Sequence, residues 1–158
     1  MNESPLQLET CFFTEIRVIS DPEANEDDIN RVNIAVHTEA SKRDEGAPRQ
    51  WFVVVGVKIT PKADAKPGYV GEVEGVGMFH VHASWPDNQI ERLVAINGAS
   101  VVYGAIRELI SNLTARGPWD MLILPTYSFV EHYKGKFAPP TDPQHKTAPQ
   151  DKTAAMTT

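Results

Sequence analysis

The sequence predicts an α+β fold: a four-stranded antiparallel sheet with two C-terminal helices packed on one face. Three observations lead there. Four β-forming stretches follow one another in the first half of the chain with only loops between them, which favours antiparallel neighbours. Their apolar and polar residues alternate with the period of a half-buried strand. Helical spacing starts only after Pro86.

The first strand begins near Leu6. Its alternation puts Leu8, Phe12, Ile16 and Val18 on one side and Glu9, Cys11, Glu15 and Arg17 on the other. Residues 20–30 break the pattern with Pro22 and the acids Asp21, Glu23, Glu26, Asp27 and Asp28, and read as a solvated loop. Calcium binding is the weaker reading there, because the ordered spacing and closing Glu of an EF-hand are missing. In residues 31–40, Val32, Ile34 and Val36 face in while Asn33, His37 and Glu39 face out. Residues 51–60 are strongly β-forming, with Trp51, Val53, Val55, Val57 and Ile59 on one face. Residues 69–83 form a long strand. Tyr69, Val73, Phe79 and Val81 share its inner face with Gly71, Gly75 and Gly77; Glu72, Glu74, His80 and His82 lie opposite. Glycines on an apolar face point to bulges or to a neighbour packed closely against them.

Pro86-Asp87 opens a first helical piece carrying Ile90, Leu93 and Val94, and Asn97-Gly98 is expected to interrupt it. The main helix follows. Val102, Ala105, Ile106, Leu109, Ile110 and Leu113 share one face at three- and four-residue spacing, with Ser100 as the expected cap and Gly117-Pro118 as the stop. Residues 121–125 read as an extended apolar arm. Ser128 and Glu131 then form a capping box for a second helix bearing Phe129 and Tyr133. The chain divides into a folded domain, 6–137, and a tail, 138–158, rich in Pro, Thr and Lys, which reads as disordered.

Net charge is −6, and all of it resides in the domain, where 13 Lys and Arg stand against 19 Asp and Glu once the two of each sign in the tail are set aside. A nucleic-acid partner is disfavoured, since phosphate binding needs clustered cations. Cys11 is the one cysteine, so an internal disulfide is ruled out and a reducing compartment fits. No uninterrupted apolar run approaches the ~20 residues of a membrane helix, and the first residues do not read as a signal peptide.

Among chemical motifs, His80 and His82 are the most tempting. Histidines at i and i+2 share a strand face and could chelate zinc, with His37 or Glu39 as a third ligand, in a small metal-dependent enzyme. The plainer reading is a solvent-facing polar pair, because zinc needs three or four ligands and spacing supplies two. Cys11 lies in no nucleophile signature, and there is no P-loop or dinucleotide-binding glycine pattern. Neither a catalytic residue nor a cofactor is assigned. Binding remains: Phe12 (or Phe13), Tyr69, Tyr103, Phe129 and Tyr133 are aromatics that a small sheet-and-helix core could leave open to an extended polypeptide. The alternative for each is the core or an oligomer interface.

The residues then meet a known family. Residues 98–108 (GASVVYGAIRE), 110–117 (ISNLTARG), the apolar arm and 128–133 (SFVEHY) resemble, in order and spacing, the C-terminal half of the SecB export chaperones. Residues 69–79 (YVGEVEGVGMF) resemble that family's fourth strand. The resemblance implies a SecB-like fold and a homotetramer, a dimer of dimers in which the long helices meet. It implies a cytoplasmic, ATP-independent holding chaperone that keeps unfolded precursors export-competent and delivers them to SecA, with no membrane insertion. Glu15, Val70 and Glu72 match positions of the SecA-docking sheet face. The family's client groove runs beneath the loop joining the first two strands and the second helix; Tyr69, Phe129 and Tyr133 match aromatics there, and with Phe12 and Tyr103 they make the expected client groove. Departures are specific. Gly98-Ala99 stands where the family has Cys-Pro, Gly104 where it has Pro, and the first loop is short, acidic and lacks the family's tryptophan. These bear on the SecA partnership more than on the fold. Some SecB-like proteins serve one client, such as an antitoxin, and that is the alternative role.

Overall fold

The computed structural model describes residues 3–137; the expected tail, 138–158, lies outside them. Strands β1 (Leu6–Ser20), β2 (Val32–Lys42), β3 (Gln50–Pro61) and β4 (Tyr69–Val81) form one antiparallel sheet in the order β1-β4-β3-β2. The loop from β1 to β2 must therefore cross the end of the β3–β4 hairpin. It is held there by Asp21 N–H donating to Gly68 O (3.0 Å) and Asn25 N–H to Lys66 O (3.1 Å).

One face of the sheet is the core. Val53, Val55, Val57 and Ile59 of β3 and Tyr69, Val73, Phe79 and Val81 of β4 are buried, as strict alternation in two central strands requires. β2 keeps an even register throughout, with Ile34 opposite Ile59 and Val36 opposite Val57.

β1 departs from simple alternation. Register shifts between Leu8 and Thr10 and between Phe13 and Glu15 each insert one residue. A bulge moves all later side chains to the other face. Cys11 and Phe13 thus turn to the helix side, opposite Gly77 and Gly75, while Phe12 turns outward, opposite Val76. After the second shift, Glu15 and Arg17 face out and Ile16 and Val18 face the helices. Phe13 fills space that β4 leaves open: a Cβ on Gly75 would lie 3.4 Å from its ring and 3.2 Å from Val102 Cγ1. At Gly71 the neighbour is the β1 backbone itself, at Arg17 O.

The helical region is one helix, Asp87–Thr114, rather than two pieces. It starts with a 3-10 turn, Asp87–Gln89, passes through a π turn, Val94–Gly98, and is regular α from Ala99–Thr114. Asn97-Gly98 does not break it because Gly98 is buried on the sheet: a Cβ there would lie 2.9 Å from Val53 Cγ2. Close packing offsets the low helix propensity of glycine. Ser100 is not a cap but an interior residue whose hydroxyl donates to Ile96 O (2.8 Å). The helix is long and apolar enough to cross a membrane by length and composition alone, although no uninterrupted apolar run is; more than half of that stretch is buried in this fold. Ala99, Val102, Tyr103, Ile106 and Ile110 supply its buried face.

The arm after the helix is extended, with Leu122 and Leu124 buried and Met121 and Ile123 exposed. Three of its carbonyls accept hydrogen bonds from the helix: Leu122 O from Ser111, Leu124 O from Arg107 and Pro125 O from Tyr103. Thr114 Oγ1 in turn accepts Leu122 N–H (2.9 Å). The second helix is a single turn, Phe129–His132, and Ser128 Oγ accepts Glu131 N–H as a cap.

Candidate functional site

Aromatic side chains gather where this short helix meets the long one. Tyr103, Tyr127 and Phe129 pack with ring centroids 4.9–5.9 Å apart, tilted or edge to face. His132 extends the cluster to Tyr133, and Tyr133 extends it to Phe137. Such pairs are worth about 0.5–1.5 kcal/mol each beyond their burial. Phe129 is only 2% exposed, and Tyr103 and Tyr133 are also buried. Burial pushes the Tyr103 hydroxyl above the ordinary phenol range, and that hydroxyl is spent on Pro125 O (2.7 Å). These three rings are closed off, while Val130 of the short helix and Ile123 of the arm stand out from the surface, Ile123 by 62%.

The five aromatics expected to line a groove fall in three places. Tyr103, Phe129 and Tyr133 belong to the closed cluster. Phe12 is on the far face of the sheet, half exposed, because the first bulge turned it over. Tyr69 sits at the other end of the long helix and is buried. Its hydroxyl lies 3.0 Å from Thr114 O and 3.1 Å from Trp119 O, and accepts Trp119 N–H at 3.2 Å. That hydroxyl braces the helix end. Between this end and β1 runs a cleft of about 310 Å³, lined by Ile16, Val18 and Tyr69 on the sheet side and Leu113 and Arg116 on the helix side. Ile16 and Leu113 are both exposed there.

Tyr127 and Trp119 were missed as candidates. Tyr127 directly precedes the Ser128 cap, so a tyrosine beside a helix cap was the available signal. Trp119 follows Gly117-Pro118 in a stretch that reads only as a stop.

The outer face of the sheet carries Glu15, Val70 and Glu72 together. Arg17 Nη2 reaches both Glu15 (3.4 Å) and Glu72 (3.2 Å). Glu74, opposite Glu15, accepts from Thr14 Oγ1 (2.7 Å) and lies 3.4 Å from His37 Nε2. Val70 pairs with Ile19, which is half exposed. This is a mixed, mainly acidic face with an apolar edge.

His80 faces outward between Gln7 and Gln50. His82 lies one residue past the strand, where its Nδ1 accepts Ser84 N–H (3.2 Å) and contacts Ser84 Oγ (2.8 Å). Among the described residues no group of three or more His, Cys, Asp or Glu is placed to hold a metal. Cys11 is half-buried, and burial raises its thiol above the usual range, the opposite of an activated nucleophile.

A family model described as SecB, preprotein translocase subunit SecB, matches residues 14–139. Curated relatives carry the name protein-export protein SecB. The Ruegeria pomeroyi protein is 27% identical over 109 residues, covering 68% of this chain and 64% of its own length. That of Roseobacter denitrificans is 28% identical, with the same two shares. The matched region thus spans just under two thirds of these relatives. Among solved structures, the Mycobacterium tuberculosis SecB-like chaperone in complex with a ChAD peptide from the HigA1 antitoxin superposes with a TM-score of 0.56. It is 16% identical and covers 78% of this chain and 91% of that one. At that identity the likeness is one of fold.

Proposed function

The chain belongs to the SecB family, and from that premise we propose that it is a cytoplasmic holding chaperone that binds unfolded polypeptide without ATP or any catalytic step. The observation that carries the proposal is the aromatic cluster under the short helix, with Val130 of that helix and Ile123 of the arm left exposed. An apolar client segment can lie across these exposed residues beside the cluster. Each Leu-sized side chain fully covered contributes about 1.5–3 kcal/mol before the ordering cost of the client is subtracted.

The outer face with Glu15, Val70 and Glu72 is the proposed contact for a SecA-type motor. The proposed homotetramer would use the outward surface of the long helix, where Val101 is exposed and a Cβ on Gly104 would touch nothing within 4 Å. β1, an edge strand, supplies the other free surface. A second reading, one dedicated client such as an antitoxin, draws support from the fold shared with the M. tuberculosis chaperone solved with an antitoxin peptide.

Fluorescence anisotropy of a labelled, reduced and alkylated polypeptide that cannot refold tests the proposal. Saturable binding without nucleotide is expected. A folded protein that leaves the anisotropy unchanged at about 100 μM would overturn general client holding.

A further inference from the structure

The loop from β1 to β2 is tied down by two kinds of contact. Main-chain hydrogen bonds join it to the β3–β4 hairpin: Asp21 N–H to Gly68 O, Asn25 N–H to Lys66 O and, in return, Gly68 N–H to Ile29 O (3.1 Å). A side chain joins it to the far end of the long helix. Trp119, just past the Gly117-Pro118 stop, donates its indole N–H to Asp21 O (2.7 Å). Among the described residues no other hydrogen bond links residues 21–30 to residues 115–120.

That bond lies between two clefts. Ser20, Leu113 and Gly117 border the one of about 310 Å³ described above. Ile29, Pro118 and Trp119 border another, of about 520 Å³. The chain leaves the first cleft at Ser20 and at Gly117. Asp21 and Trp119 lie just beyond, so the bond joining them is a bar between the clefts. The indole also covers Gly68, where a Cβ would come within 2.9 Å of Trp119 Cγ, and Pro67 and Gly68 are buried. Trp119 itself is only half-buried. Water can therefore partly replace its bond, and one such bond favours the closed loop by a modest factor. The contact has the strength of a latch rather than of a permanent tie.

We infer that the Trp119–Asp21 contact is an autoinhibitory latch: it holds the β1–β2 loop closed against the end of the long helix, and its release makes the chain a tighter binder of polypeptide. The inference rests on the chain being a polypeptide-binding chaperone and adds a control on that binding. Opening joins the two clefts and uncovers Pro67, Ile29 and the indole. Apparent affinity is reduced by the fraction of molecules that are open. By linkage, a bound client favours the open loop as strongly as the open loop favours the client.

The test compares three full-length proteins: wild type, Trp119→Phe, which keeps an aromatic ring but has no N–H to donate, and Gly68→Ala, whose methyl group displaces the indole while leaving Trp119 in the chain. Hydrogen exchange is read by mass spectrometry over residues 21–30 and, as a reference, over β3. Affinity for the labelled, reduced and alkylated polypeptide is read by anisotropy. Loss of one latch bond implies roughly fivefold faster exchange in residues 21–30 of both variants, no change in β3, and client binding tighter by a similar factor. Saturating client should also speed exchange of residues 21–30 in wild type, an arm that depends on no substitution. Unchanged exchange in both variants overturns the latch. Faster exchange with unchanged or weaker client binding overturns its inhibitory role, and so does slower exchange of residues 21–30 in client-bound wild type. Failure of all three proteins to bind the client overturns the holding reading itself, and the inference with it.

Discussion

Removing the hydroxyl of Tyr69 should destabilise the protein without touching client recognition. The side chain is 3% exposed, so water cannot replace what is lost. Tyr69→Phe removes one donated hydrogen bond, shared between Thr114 O and Trp119 O, and one accepted from Trp119 N–H. Each net bond is worth about 1 kcal/mol, and a stranded buried donor costs about 1–3 kcal/mol. The expected loss is therefore roughly 1.5–3 kcal/mol. In urea, with a slope near 2 kcal/mol/M, the midpoint should fall by about 1 M with the slope unchanged. Circular dichroism and tryptophan emission at one fixed protomer concentration read it, since an oligomer's stability depends on concentration. Gly117→Ala crowds the same atom, because its Cβ would collide with Tyr69 Oη. The two losses should fall short of additive in the double variant. A Tyr69→Phe midpoint within about 0.2 M of wild type would refute the brace. Loss of client binding by a fully folded Tyr69→Phe protein would refute the assignment of this residue to structure.

Phe129→Asp puts a charge among Tyr103, Tyr127 and His132 and should release the short helix, lowering client affinity at least tenfold in the anisotropy assay. Glu72→Lys breaks only an exposed pair with Arg17, should change stability by less than about 1 kcal/mol, and should spare client binding while weakening any SecA contact in a pull-down; loss of client binding instead would show that the two faces are wrongly divided. Gly104→Ala should raise helix stability by about 0.5–1 kcal/mol within a protomer, whereas analytical ultracentrifugation should show a weakened tetramer if that helix face meets a second copy closely. The Arg31 guanidinium, then Lys66 N–H, hold the Asp28 carboxyl below its usual range. Its contribution is thus present above the unfolded pKa, near 4, and lost as pH falls through the lower folded value; melting curves of Asp28→Asn should decline less steeply with acid there than those of wild type.

Three strands and the outer face were legible because β2, β3 and β4 alternate without interruption. One period then assigns Glu72 and Glu74 outward and Val73 and Phe79 inward. β1 was misread only between its two bulges, at Cys11 and Phe12, because the second shift restores the phase for Glu15, Ile16, Arg17 and Val18. Glu9 and Thr14 are ordinary strand residues, and nothing local marks either as the inserted one; the register with β4 decides it. The supposed break at Asn97-Gly98 failed for a related reason, since Gly98 is retained by its contact with Val53 and Phe79, far away in sequence. The second helix and its Ser128 cap were legible because a capping box is a local device. In the site, aromatic identity located Tyr103, Phe129 and Tyr133 but said nothing of burial. Tyr69 is set apart by where its hydroxyl ends up, and Trp119 finds its partner, Asp21 O, only once the loop from β1 to β2 has been laid against the end of the long helix.

The most direct measurement is light scattering of a chemically unfolded test protein diluted into buffer, with and without this chain at about one proposed tetramer per client and no nucleotide. Suppressed aggregation is the predicted result, with Phe129→Asp less effective than wild type at equal concentration. Undiminished scattering in the presence of a well-folded tetramer would contradict general holding and leave a scaffold reserved for a single partner.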